Sequence, residues 1–94
     1  MKKICIIEDE KDIVRLLSYN LEKEGYAVLS YSSGGKAFDF IQSNAPDLII
    51  LDIMIPDIDG FEVCKQLKAS ADTKQIPIIM VSAKTEESNI VTGL

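Results

Sequence analysis

The chain has 94 residues, of which 47% are hydrophobic and 27% charged, and its formal net charge at pH 7 is −5. This length and composition are ordinary for one small globular domain, and the negative charge argues against non-specific binding of nucleic acid. No apolar run approaches the roughly 18 residues of a membrane span, and the residues after Lys2 and Lys3 become acidic too soon for a signal peptide. We therefore expect a cytoplasmic protein with no membrane contact.

The first predicted elements are a buried strand, an amphipathic helix and a second strand. The apolar run 4–7 is bounded by charge, which is typical of a strand buried on both faces of a parallel sheet. Gly25 ends the following helix, because glycine readily adopts the left-handed conformation there, and residues 26–31 favour a strand. The apolar residues at helical spacing in that helix are Ile13, Leu16, Leu17 and Leu21.

A second helix and a third strand continue the alternation. Pro46 ends the helix, because the residue before a proline avoids helical geometry. Residues 47–51 form the third strand, and a loop leads from it to Asp59 and Gly60. The apolar face of the second helix consists of Ala37, Phe38 and Ile41.

Two more helices and a fourth strand complete the pattern. Asp59 caps the start of a third helix, and Pro77 opens the strand 78–81, where a missing amide donor is tolerated. Thr85 is expected to cap a fourth helix. Its apolar residues at helical spacing are Ile90, Val91 and Leu94. The βαβαβαβα order predicts a doubly wound α/β fold with right-handed crossovers and helices on both faces of a parallel sheet.

Acidic residues follow two of the buried strands. Glu8 and Asp9 come directly after the first strand, and Asp52 comes after the third. Because parallel strands end at the same edge, we expect these carboxylates to converge there, with the Ser82 hydroxyl after the fourth strand nearby. Converging carboxylates repel one another unless a hard divalent cation, of which Mg²⁺ fits best, lies among them. The sequence therefore predicts a magnesium site.

Four separated motifs together resemble the receiver domain of two-component response regulators, over the entire chain. They are Ile6-Ile7-Glu8-Asp9-Glu10, the loop from Leu51-Asp52 to Asp59-Gly60, Pro77-Ile78-Ile79, and Val81-Ser82-Ala83-Lys84. The resemblance implies a flavodoxin-like sheet with strand order 2-1-3-4. It also implies a signalling phosphoacceptor with weak intrinsic phosphotransfer and autodephosphorylation rather than an enzyme.

The resemblance also implies a role for each matching residue. Asp52 would be the phosphoacceptor that takes a phosphoryl group from a sensor histidine kinase. Asp9, Asp52 and the Met54 backbone carbonyl would bind Mg²⁺, and Glu8 would act mainly through a metal-bound water. Ser82 would donate a hydrogen bond to a phosphoryl oxygen once the acyl phosphate has formed.

The chain departs from the family at its C-terminal end. The family's fifth strand, with its Lys-Pro pair, and its fifth helix would lie beyond Leu94. We therefore expect residues 1–94 to be an incomplete receiver domain, with a DNA-binding effector domain that regulates transcription beyond it. Without a fifth strand, 78–81 would be an apolar and uncharged edge. We expect this edge to associate with a second copy, as a homodimer or by strand swapping.

Other function classes fit these residues less well. A phosphatase of the haloacid dehalogenase class needs a second aspartate where this chain has Met54. A flavodoxin needs a hydroxyl-rich phosphate loop after the first strand, where the acids would repel phosphate. A receiver-fold interaction module that is not phosphorylated stays open as the alternative, and the missing lysine favours it. The remaining acids of these loops, Glu10, Asp57 and Asp59, favour loop solvation and capping over ligand roles.

Overall fold

The described part of the chain alternates strands and helices and ends in one additional strand. The computed structural model describes residues 1–55, 57–82 and 89–92. In chain order the elements are β1 (Lys3–Ile7), α1 (Lys11–Lys23), β2 (Ala27–Tyr31), α2 (Ala37–Asn44), β3 (Leu48–Asp52), α3 (Gly60–Ala69), β4 (Ile78–Ser82) and β5 (Asn89–Thr92). Within this described part, no helix combines the length and apolarity that a membrane crossing requires.

The strands form one sheet in the order β2-β1-β3-β4-β5, and the first four are parallel. The predicted α/β fold and the strand order 2-1-3-4 are confirmed. β1 lies directly beside β3, with Ile7 opposite Leu51, and β4 follows, with Val81 opposite Asp52. The carboxyl ends of β1, β3 and β4 therefore share one edge of the sheet.

The core surrounds the central strands. Ile6 and Ile7 have no exposed surface, and successive residues of a strand face opposite sides, so both faces of β1 are covered. Burial raises the pKa of the Cys5 thiol to about 12, which keeps it neutral in this core. The main cluster joins β1, β3 and β4 to α2, α3 and the residues after β3: Cys5, Ile7, Ala37, Ile41, Ile49, Leu51, Ile55, Val63, Leu67, Ile78 and Met80.

The helix ends follow the signals in the sequence. Gly25, just after α1, has φ +93°, in the region that glycine adopts without steric cost. Ala45, just before the proline that ends α2, is also left-handed at φ 45°. At the start of α3, the Asp59 carboxylate accepts a hydrogen bond from the Phe61 N–H at 2.9 Å. The predicted cap of the third helix is therefore confirmed.

The segment after β4 differs from its prediction. The sequence predicts a helix from Thr85, but residues 89–92 form β5, antiparallel to β4, while 83–88 and Leu94 lie outside the described residues. The helix is therefore wrong for 89–92, where three β-branched residues favour a strand and the edge of β4 offers unpaired backbone groups. The expected open edge of β4 is wrong for the same reason, because β5 occupies it.

Candidate functional site

Three acidic side chains meet at the carboxyl edge of the sheet. Glu8, Asp9 and Asp52 each offer a carboxylate oxygen, and these oxygens lie within 4.8 Å of one another. Glu8 is 5% exposed and Asp52 only 2%, and Asp9 is half-buried. The structure thus brings together the acids that the sequence places after β1 and β3.

The backbone after β1 holds Glu8 in this cluster. Its N–H donates to the Tyr31 carbonyl at 3.0 Å, which extends the pairing of β1 with β2 by one residue. The Glu8 carboxylate accepts a hydrogen bond from the Glu10 N–H, also at 3.0 Å. A tight turn therefore folds the side chain back over the end of its own strand, directly before α1 begins.

The electrostatics of the cluster favour a positive charge. Burial raises the pKa of Glu8 to about 7, and the neighbouring Asp52 carboxylate adds to the increase, while the Glu10 N–H opposes it. A carboxyl group with this pKa is held close to its neutral form because the site disfavours another negative charge. A bound cation would remove that penalty.

The Asp52 carboxylate has one oriented oxygen and one that is left over. Oδ1 accepts a hydrogen bond from the Met54 N–H at 3.0 Å. Oδ2 is buried and accepts no hydrogen bond from the described residues. Such an atom in a native core needs a partner, which a water molecule or a bound ion can supply. The donors gathered here are oxygens, which suit a hard divalent ion such as Mg²⁺. These residues therefore fit the expected metal.

The start of α3 is pressed against the end of β3. The Gly60 N–H donates to the Ile53 carbonyl at 3.0 Å. A Cβ at Gly60 would lie 2.5 Å from the Asp52 carbonyl oxygen and 2.7 Å from the Ile53 Cα. Because both neighbours are backbone atoms, only glycine fits at this close approach. The helix that follows the acidic cluster is thereby placed directly behind Asp52.

Sequence reasoning missed the structural role of Asp57. Its carboxylate accepts hydrogen bonds from the Ser33 Oγ at 2.8 Å, the Gly35 N–H at 2.8 Å and the Gly34 N–H at 3.1 Å. The Gly35 N–H, followed by the Ser33 hydroxyl and the Gly34 N–H, lowers the pKa of Asp57. The run of small residues before α2 was the signal for a set of accessible donors, but it does not reveal the acceptor.

Two further candidate residues are placed in different ways. Ser82 is the last residue of β4, so its backbone lies at the same edge as Asp52, but its side chain lies outside the described part of the structure. The Met54 side chain is 49% exposed, and the Met54 backbone N–H contacts the acidic cluster through Asp52 Oδ1.

A cavity of about 470 Å³ opens beside the acidic cluster. Glu8 and Asp9 line one part of it, and two basic residues of α1, Lys11 and Arg15, line another. The two bases are four residues apart and so lie on one face of the helix, a spacing that the sequence already contains. The cavity therefore places cationic groups beside the acids, where an anionic group could approach.

The chain matches a family model described as "Response regulator receiver domain" over residues 4–94. Among curated proteins, the alkaline phosphatase synthesis transcriptional regulatory protein PhoP of Bacillus subtilis (strain 168) is 48% identical over 93 residues. The match covers 99% of this chain but 38% of that protein, so the chain spans well under half of its relative's length.

Solved structures resemble the chain over nearly its whole length. The N-terminal domain of a response regulator receiver protein from Methanoculleus marisnigri JR1 has a TM-score of 0.84 and 31% identity, covering 93% of this chain and 71% of that one. The Mn²⁺-bound form of response regulator Rcp1 has a TM-score of 0.79 and 30% identity, covering 92% and 69%. The span of the family model, residues 4–94, includes the three acids of the cluster.

Proposed function

Because the chain belongs to the response regulator receiver domain family, we propose that it takes a phosphoryl group from a sensor histidine kinase onto Asp52. Members of this family are signalling phosphoacceptors rather than classical enzymes. The observation that carries the proposal is the buried Asp52 Oδ2, which accepts no hydrogen bond from the described residues although two other carboxylates lie within 4.8 Å. A buried carboxylate oxygen with no donor among the described residues is suited to form a new bond.

The acidic cluster is typical of the Mg²⁺ site of receiver domains, and its residues would hold the ion in specific roles. Asp9 and Asp52 would bind it directly, the Met54 backbone carbonyl would be a third ligand, and Glu8 would act through a metal-bound water. Bound there, Mg²⁺ would neutralise charge on the acids and on the incoming phosphoryl oxygens. The Mn²⁺-bound relative supports a divalent ion in this fold.

Phosphoryl transfer would use Asp52 as the nucleophile. A carboxylate oxygen attacks the phosphorus in line, and the bond from phosphorus to the histidine nitrogen of the donor breaks. The electron pair stays on that nitrogen, and the product is an acyl phosphate on Asp52. The Met54 N–H orients the carboxylate through Oδ1. Ser82, at the end of β4, would then donate a hydrogen bond to a phosphoryl oxygen.

The relatives support a biological output in transcription. The PhoP relative is named a transcriptional regulatory protein. We infer that phosphorylation of this chain belongs to a cytoplasmic two-component pathway that regulates transcription. In a protein of the relative's length, a DNA-binding effector domain after residues 1–94 would receive the signal.

Phosphorylation mapping tests the assignment of Asp52. The protein is incubated with Mg²⁺ and a small acyl-phosphate donor or its kinase, trapped with borohydride, and analysed by mass spectrometry. We expect label on Asp52 and none in Asp52→Asn. Asp47→Asn, which changes an exposed acid just before the same strand, is the matched control and should be labelled like the wild type.

Two outcomes would contradict the assignment. Comparable label on another carboxylate in Asp52→Asn would show that the phosphoacceptor is elsewhere. A wild-type protein that takes no phosphate from either donor would favour the unphosphorylated interaction module instead.

A further inference from the structure

The β3–α3 loop, residues 53–59, is anchored at both ends and in its second half. Residue 56 lies outside the described part. At one end the Ile53 N–H donates to the Val81 carbonyl at 3.0 Å, and at the other Asp59 caps α3. In the second half, Asp57 accepts its hydrogen bonds from the segment between β2 and α2. The loop is therefore tied to a part of the chain more than 20 residues earlier in sequence.

The packing beside Asp57 matches this anchor. A Cβ at Gly34 would clash with the Ile58 Cγ2 and would lie 3.2 Å from the Ile55 Cδ1. Gly34 and Ile55 are both buried, and Ile55 belongs to the main core cluster. The same glycine that donates its N–H to Asp57 thus also provides the space for the side chains on either side of Asp57. Polar and apolar contacts hold the loop in one position.

The anchored loop reaches the phosphorylation site through Met54. The Met54 N–H, three residues before Asp57, donates to Asp52 Oδ1 at 3.0 Å. A shift of the loop that moves this N–H therefore weakens or redirects the hydrogen bond to Asp52 Oδ1. We propose that Asp57 is a positioning residue of the phosphorylation site, which fixes the Asp52 carboxylate by anchoring the β3–α3 loop to the Ser33–Gly35 segment. This inference rests on the proposed function of Asp52.

The choice of an aspartate fits this role. The three donors are shared between its two oxygens, and hydrogen bonds to an ionised acceptor are stronger than those between neutral groups. Asparagine keeps one acceptor oxygen and no charge, whereas alanine keeps neither. The two substitutions therefore weaken the anchor in graded steps without adding bulk.

Metal-free and metal-bound measurements separate positioning from general stability. In metal-free protein, Asp57→Ala should speed hydrogen exchange of the Met54 amide about tenfold. The reason is that the loop would no longer hold the Met54 N–H against the Asp52 carboxylate. The same variant should weaken Mg²⁺ binding, followed by NMR, about tenfold, the lower end for residues behind a metal ligand. Asp57→Asn should show a smaller change in both measurements.

Asp39→Asn is the matched control. It removes an exposed carboxylate from the first turn of α2, close in sequence to the donors but not among them, and should change neither measurement. If Asp57→Ala does not fold, Ser33→Ala removes a single donor and should move both measurements in the same direction.

The wild type and Asp52→Asn belong in the same series. Wild-type protein that binds no Mg²⁺ would overturn the proposed function, and this inference with it. A different pattern would overturn the positioning role alone. In that pattern, wild-type protein binds Mg²⁺ and Asp52→Asn does not, while Asp57→Ala binds Mg²⁺ within about twofold of wild type and exchanges its Met54 amide at the wild-type rate.

Discussion

The two connections that carry the acidic cluster are built in opposite ways. The β1–α1 connection concentrates charge, because Glu8 is buried within 4.8 Å of two other carboxylates. The β3–α3 loop supplies geometry, because Asp57, Asp59 and Gly60 attach it to its surroundings through hydrogen bonds and close backbone contacts. Carboxylates that are not held in fixed positions only repel one another, and a rigid loop without carboxylates does not bind a cation. A metal-dependent site needs both.

The difference predicts which property each substitution changes. In the β3–α3 loop, substitutions should act mainly on packing and on the orientation of Asp52. In the β1–α1 connection, they should act on properties that depend on pH and on divalent ions.

Gly60→Ala should have the largest effect on stability. Its Cβ would lie against backbone atoms of Asp52 and Ile53, so the start of α3 must shift, at a cost of about 3 kcal/mol. Urea unfolding followed by circular dichroism measures the change. Gly25→Ala is the matched control, because Gly25 has a positive φ but open space around it, and it should cost about 1 kcal/mol. Equal losses in the two variants would show that the close approach to β3 is not needed.

The pH dependence of stability should report the charged connection. Burial raises the pKa of Glu8 from 4.5 to about 7, so the folded protein holds this proton more tightly than the unfolded chain does. Its contribution to the free energy of unfolding is therefore full below pH 4.5 and is lost as the pH rises through 7. We expect a loss on the order of 2 kcal/mol in metal-free protein.

Glu8→Gln should flatten this pH profile, and Mg²⁺ should oppose the loss above neutrality. Glu10→Gln, an exposed glutamate two residues away, is the control and should keep the wild-type slope. Denaturant melts at several pH values, with and without Mg²⁺, measure both effects. If the free energy of unfolding of Glu8→Gln depended on pH as that of the wild type does, ionisation of Glu8 would not destabilise the folded protein, contrary to what the geometry of the cluster indicates.

The smallest effect concerns Asp57, which is exposed. Hydrogen bonds from Gly35, Ser33 and Gly34 lower its pKa below the ordinary 3.8, so its contribution to stability is present above that value and is lost as the pH falls through the lowered pKa. The chemical shift of the Gly35 amide should titrate with a midpoint below 3.8, and Ser33→Ala should raise the midpoint. A wild-type midpoint at or above the ordinary value would contradict the anchored geometry.

Local signals in the sequence were enough for most of the fold and for the acidic cluster. The run 4–7 ends in Glu8 and Asp9, and the strand before Asp52 is equally apolar, so parallel pairing alone brings the acids to one edge. These predictions needed no knowledge of which loops touch.

Two features depended on contacts between distant segments. Asp57 bonds Gly35 across 22 residues, and nothing near either residue reveals the other. Ile90 and Val91 satisfy a helical spacing and also favour a strand, and the free edge of β4 decides between the two. Tertiary pairing therefore overrode the local pattern in residues 89–92, whereas the contact between Asp57 and Gly35 has no local pattern that could predict it.

The buried thiol of Cys5 in β1 can report local opening of the hydrophobic core. Cys5 has no exposed surface, and burial raises its pKa to about 12, so at neutral pH it has neither the access nor the thiolate form that alkylating reagents require. Modification of Cys5 thus needs the side-chain cluster that packs on this face of the sheet to open. When the core recloses faster than the reagent reacts, the labelling rate of Cys5 equals the fraction of molecules that are open multiplied by the labelling rate of an exposed thiol. It is read separately from the labelling of Cys64, the second cysteine, which is only partly buried. Because Glu8 directly follows the same strand, this rate also reports how firmly the acidic edge is held closed.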